Sequence, residues 1–102
     1  MMNLRFVETV KAEFWDAVSY YEAEREGLGR KFAREISKAL DRIVENPNAW
    51  RPLSPQTRQC RTHRFPYAVV YQTRPDHILI LAIMHLHREP KSWRGRVPSH
   101  EQ

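Results

Sequence analysis

Residues 67–85 read YAVVYQTRPDHILILAIMH, and their reading decides the fold. Tyr67 to Gln72 is dense in β-branched and aromatic residues, which fit a pleated, half-buried surface, so it predicts a strand. Arg74-Pro75-Asp76 predicts a turn, because proline presets φ and aspartate can bond the nearby backbone. His77 to His85 is the return strand, antiparallel to the first across that short connection. Within it Ile78, Leu79, Ile80 and Leu81 are apolar in succession. Alternation would leave one face wet, so this run predicts a strand covered on both faces, by helices and a second layer or by a partner chain.

Working upstream, Arg61 to Phe65 predicts a third strand closed by Pro66, preceded by a loop from Trp50 to Gln59 with prolines at 52 and 55. Asn46-Pro47 ends a helix expected from about Arg30 to Glu45, since proline cannot continue the hydrogen-bond ladder. Its apolar stripe is Phe32, Ile36, Ala39, Leu40 and Ile43. An earlier helix, about Val10 to Arg25, carries Val10, Phe14, Ala17, Val18 and Tyr21 at helical spacing, with Trp15 widening the stripe and Thr9 as the expected N-cap. Gly27 and Gly29 lie between the two helices, so few residues join them that they should pack as an antiparallel hairpin. Asn3 to Val7 reads as a first strand that must join the sheet, because alone it cannot satisfy its backbone. The expected architecture is α+β, ordered β-α-α-β-β-β, an antiparallel sheet packed against a helical hairpin. It is read as a single domain over residues 1–102, with 91–102 open between short helix, coil and a flexible tail.

Composition narrows the function. The chain has 102 residues and a net charge of +5. Residues 1–50 carry 8 Lys+Arg against 9 Asp+Glu, a net of −1, while residues 51–102 carry 9 against 3, a net of +6. All five histidines, His63, His77, His85, His87 and His100, also fall in the second half. A positive half attracts polyanions or an acidic protein and speeds encounter with them. No apolar run approaches the roughly 18 residues of a membrane span, and MMNLRFVE lacks the apolar core of a signal peptide, so no membrane association is expected. The lone Cys60 permits no intrachain disulfide, which fits a reducing cytoplasm, and it reads as a small apolar strand residue. Neither a glycine-rich phosphate loop nor a metal-ligand cluster is present, so no cofactor or metal is expected; His85-x-His87 lacks accompanying acidic or thiolate ligands.

The residues suited to chemistry are basic. Metal-free RNA cleavage requires a base for the 2′-hydroxyl proton, cations for the crowded phosphate, and an acid for the leaving oxygen. Histidine titrates near neutrality, and the arginine fork binds phosphate through two bonds. Arg58, Arg61, His63, Arg64, His85, His87 and Arg88 are the candidates. By strand alternation Arg61 and His63 should share one face, as should His85 and His87, and the two pairs can approach each other on adjacent strands. The alternative is a set of solvated or carboxylate-paired arginines, with Glu89 an available partner.

An ordered set of residues resembles the RelE/ParE superfamily of bacterial type II toxins, the plasmid-stabilisation type, over about residues 3–94. The set runs from Tyr20-Tyr21-Glu22 through Gly27-Leu28-Gly29, Phe32 and Asn46-Pro47 to Arg58 and Arg61. It continues with Arg64-Phe65-Pro66-Tyr67, Tyr71 and the strand Ile78 to Met84, and ends in His85-Leu86-His87-Arg88-Glu89-Pro90 and Trp93. The resemblance implies a cytoplasmic growth inhibitor held silent by a cognate antitoxin, whose extended or helical segment lies across the toxin, within a higher-order toxin–antitoxin complex. It implies one of two targets: DNA gyrase, poisoned by binding, or messenger RNA on the ribosome, cut by an endoribonuclease. RelE-like nucleases usually carry lysines before the second strand and a late tyrosine. Residues 51–57, RPLSPQT, hold no lysine and no tyrosine follows Tyr71. The chain therefore reads as nearer to ParE, gyrase-directed and non-catalytic, with the nuclease as the alternative and a degenerate, non-toxic antitoxin binder as a third reading.

Overall fold

Helix formation starts where the sheet releases the chain. In the computed structural model, which describes residues 3–88 and 92–97, strand β1 (Asn3–Phe6) is followed by a last sheet bond from Val7 N–H to Ile80 O, 3.0 Å. Helix α1 (Glu8–Glu24) begins at the next residue, with Val7 as its N-cap and no side-chain cap, so the expected cap Thr9 lies inside the first turn. Glu8 in that turn suits the positive end of the helix dipole. Val10 and Ala17 are buried and Phe14, Val18 and Tyr21 pack beside them. Trp15, expected to widen this stripe, is 54% exposed instead, one position around the helix from the core face.

Helix α2 (Leu28–Glu45) starts two residues earlier than expected, because Gly27 supplies the reversal itself at φ +86°. The Glu22 carboxylate of α1 accepts from the N–H groups of Gly27 and Gly29 at 3.0–3.1 Å, satisfying donors that a helix start leaves unpaired. The hairpin closes so tightly here that a Cβ on Gly29 would lie 2.7 Å from Val18 O. Phe32, Ile36, Ala39 and Ile43 are buried, as the stripe predicts. Glu35 is buried beside them, with Lys38 Nζ 3.5 Å from one of its oxygens.

The sheet holds five strands in the order β1-β5-β4-β3-β2, with β2 (Arg51–Pro52), β3 (Thr57–Arg61), β4 (Tyr67–Thr73) and β5 (His77–His85). The last three pair antiparallel, but β1 pairs parallel with β5, from Asn3 opposite His77 to Phe6 opposite Ile80, so the sheet is mixed. The cause is the hairpin. Helix α1 carries the chain onward from Ile80 until Tyr21 meets Tyr67, and α2 returns it to the other end, where Pro47 O accepts from Tyr71 Oη. Strand β3 then sets out in the direction of β1, and the meander leaves β5 running the same way.

Strand β3 occupies 57–61, not the expected 61–65, and β2 lies within the expected loop. Thr62 to Pro66 turn instead: Thr62 N–H donates to Tyr67 O and the Thr62 hydroxyl reaches Phe65 O and Tyr67 O. Another departure lies within β5. Val70 faces Ala82 while Tyr71 faces Ile80, which leaves Leu81 as a bulge and shifts the alternation. Ile78, Ile80 and Ile83 therefore point to the helices, with Cys60, Val69 and Tyr71. Leu79, Leu81, Ala82 and Met84 point to the far face with Val70. That face is covered from within the chain, as Trp93 of the 3-10 helix Ser92–Arg96 is buried on it and Leu53, Leu86 and Val97 pack around. Of the stretch 91–102, residues 92–97 thus have a place on the sheet; Lys91 and 98–102, with His100, lie outside the described residues, as do Glu89 and Pro90. No helix among the described residues is long and apolar enough to cross a membrane.

Candidate functional site

The sheet end at which β5 finishes gathers the polar groups. Helix α1 presents Glu13, Asp16 and Tyr20 at spacings of three, four and seven residues, hence on one face. Strand β4 begins there with Tyr67, opposite His85, and the turn after β5 supplies Arg88. These residues line an open cleft of about 410 Å³. Behind it, Tyr21, Phe32, Phe65 and Tyr67 interlock with ring centroids 4.8–6.2 Å apart, which fixes the cleft wall.

His85 is held in a defined state. Its ring meets Tyr67 edge-on at 5.0 Å, and its Nδ1 accepts the His87 N–H at 3.1 Å, which places the proton of the neutral ring on Nε2. Burial, then the Arg88 and His87 charges, push its pKa below the usual histidine value. Tyr20 is pushed up by its hydrogen bond to Glu24 and by that carboxylate's charge, with Arg88 opposing. Burial raises the phenol of Tyr67 and Arg88 opposes that too. The Arg88 guanidinium thus sits among Tyr20, Tyr67 and His85. Glu13 and Asp16 set two carboxylates in the same cleft.

Glu13 also closes the sheet edge. Strand β1 ends opposite Ile80, so β5 has no neighbour beyond it. There Glu13 Oε1 accepts the Ile83 N–H at 3.2 Å, and Arg96 donates both to that oxygen at 2.8 Å and to Leu81 O at 3.2 Å. The pair stands in for a missing strand and ties α1 to the 3-10 helix around the edge.

The structure disperses the other candidates. Arg58 sits at the opposite end of the sheet, opposite Tyr71, and donates to Trp50 O at 2.8 Å. Arg61 lies in register with Ala68 and Met84, the row facing away from the helices, whereas His85 shares the row of Tyr67; the expected approach of Arg61 to His85 is therefore blocked by the sheet itself. His63 lies past the end of β3 and does not share a strand face with Arg61. Arg64 is exposed at the loop tip with φ +72°. His85, His87 and Arg88 do come together, His85 and His87 with ring centroids 5.7 Å apart. Sequence reasoning places none of Tyr20, Tyr67, Glu13 and Asp16 among the chemical candidates, although Tyr20 and Tyr67 belong to the set that carries the family resemblance and the helical spacing of the α1 residues is visible in the sequence. Among the described residues no group of three His, Cys, Asp or Glu side chains could hold a metal. Cys60 is buried on β3, its thiol pushed up by burial.

Comparison with known proteins gives a consistent set of likenesses. Residues 4–90 match the family model described as the ParE toxin of the type II toxin–antitoxin system, parDE. Toxin ParE2 of Mycobacterium tuberculosis (strain CDC 1551 / Oshkosh) is 31% identical over 96 residues, covering 93% of this chain and 91% of that protein. A solved chain titled "Chromosomal ParDE TA system from P. aeruginosa" superposes with a TM-score of 0.74 at 21% identity, covering 85% of this chain and 98% of that one, which is a likeness of fold.

Proposed function

The chain belongs to the ParE toxin family of type II toxin–antitoxin systems, and from that premise we propose that it is a growth inhibitor neutralised by a cognate antitoxin. We further propose that it acts by binding DNA gyrase and trapping cleaved DNA, without catalysis of its own. The observation that carries the choice of mode is the separation of Arg58 and Arg61 from the cluster of His85, His87 and Arg88. Phosphoryl chemistry on RNA calls for converging cations and a proton relay, yet Arg58, Arg61 and His85 occupy a far end, a far face and a cleft shared with two carboxylates. Glu13 is paired with Arg96, but the Asp16 carboxylate beside a phosphodiester would raise its free energy rather than lower it.

The antitoxin has an apolar seat. Phe6, Val10, Phe14, Ile36, Leu40 and Ile80 bound a groove of about 370 Å³ between β1 and the hairpin, and Phe6 is 51% exposed beside it. Exposed apolar surface of this kind supports a protein partner. The test of mode uses purified protein with gyrase and supercoiled plasmid. Accumulation of cleaved DNA is expected, and messenger RNA on ribosomes should stay intact. Cut messenger RNA with gyrase unaffected would reverse the proposal. One observation favours that RelE-like alternative: neutral His85, with its Nε2–H, stands beside Arg88. Normal growth on expression of soluble protein without antitoxin would instead mark a non-toxic member.

A further inference from the structure

Arg25 at the end of α1, Lys31 in the first turns of α2 and Arg64 at the tip of the β3–β4 loop come from three separate parts of the chain, and they line one cavity of about 340 Å³. Leu28 and Pro66 add aliphatic surface to its lining. No carboxylate is among its lining residues, and none of the three cations has an ion-pair partner among the described residues. Glu22 at this end of the hairpin is committed to the N–H groups of Gly27 and Gly29. Arg64 is the one non-glycine described residue with positive φ, at +72°.

We infer that this cavity is a docking site for an acidic peptide segment of a partner protein, with carboxylates bound by Arg25, Lys31 and Arg64 around an aliphatic side chain seated on Leu28 and Pro66. The inference rests on the cavity and not on which target the toxin attacks. Guanidinium forks match carboxylates through paired, charge-assisted bonds. A single-stranded nucleic acid would need an open aromatic face on which to stack a base. The rings that reach the cavity, Tyr21 and Phe65, are instead packed on each other at 4.8 Å and on Phe32 at 5.3 Å.

The test is fluorescence anisotropy with an end-blocked, labelled peptide holding one leucine between glutamates, against its lysine counterpart and a labelled oligothymidine of similar length. The glutamate peptide should bind, the lysine peptide should not, and binding should weaken as salt rises. Arg64→Gly and Lys31→Ala should each weaken it by about tenfold, the loss of one charge-assisted bond. Arg64→Gly also relieves the positive φ, so its melting temperature should hold or rise, which separates lost binding from lost folding. Unchanged affinity in both variants, or tighter binding of the oligothymidine than of the glutamate peptide, would overturn the inference.

Discussion

At the scale of single residues, the turn between the helices is decided by what is missing from Gly29 and what Glu22 supplies. A methyl group on Gly29 would meet Val18 O at 2.7 Å, and this is backbone that cannot step aside. Gly29→Ala should therefore cost about 1–3 kcal/mol by overpacking, while Glu22→Ala, which uncaps α2, should cost about 1 kcal/mol. Urea denaturation of both variants checks the order; a neutral Gly29→Ala would show that the hairpin has slack. His85 yields a second residue-scale prediction, on pH. Its folded pKa lies below the ordinary value of about 6.5, chiefly through burial. The unfolded chain then binds the proton more readily, so His85 favours folding above the unfolded pKa. That contribution is lost as pH falls through 6.5 toward the folded value. Comparing wild type with His85→Gln at pH 7.5 and 5.5, the wild type should lose more stability on acidification. An equal loss in the two proteins would contradict this.

At the scale of elements, what the sequence reveals depends on whether a neighbour is needed to make sense of it. The helical stripes of α2 and the strand His77–His85 are legible because each element's own periodicity or apolar density announces it. Strand β3 is not. Thr57 and Gln59 look like loop residues, and they are buried because β4 pairs with them and Gln72 Nε2 donates to the Thr57 hydroxyl at 2.8 Å. The parallel partner of β5 and the bulge at Leu81 are equally hidden, since both belong to pairings rather than to segments. For the site, the clustering of His85, His87 and Arg88 follows from adjacency in the chain, whereas the separation of Arg58 and Arg61 from them follows from strand register. The closure of the β5 edge by Glu13 and Arg96 was hidden too, because it joins residues far apart in sequence. It has a measurable consequence. The Ile83 N–H owes its protection to Glu13 rather than to a strand. Glu13→Ala should raise hydrogen exchange at Ile83 by about tenfold or more, while Ile80 and Val69, inside the ladder, change little. Protection of Ile83 unaltered in the variant would mean that another group covers the edge.

At the scale of the whole molecule, two apolar clusters lie on opposite faces of one sheet, and the same strands feed both. Strand β4 gives Val69 and Tyr71 to the helix face and Val70 to the far face, while β5 gives Ile78 and Ile80 to one and Leu79 and Leu81 to the other. A strand cannot stay paired while half of its side chains lose their neighbours, so the faces should melt together, as in small proteins that unfold in one step. Trp93 offers the probe, being 5% exposed on the far face, while Trp50 packs on the helix face and donates to Arg42 O at 3.1 Å. Trp93→Ala removes a large buried ring and should cost about 3–5 kcal/mol, yet unfolding should remain a single transition at lower urea. In the wild type the indole NMR signals of Trp50 and Trp93 should vanish at the same urea concentration. If Trp93 were lost first while Trp50 stayed native, the 3-10 helix would be a detachable cover rather than a wall of the fold. The apolar far face of β5 would then be a surface that the 3-10 helix can uncover without unfolding the rest of the protein.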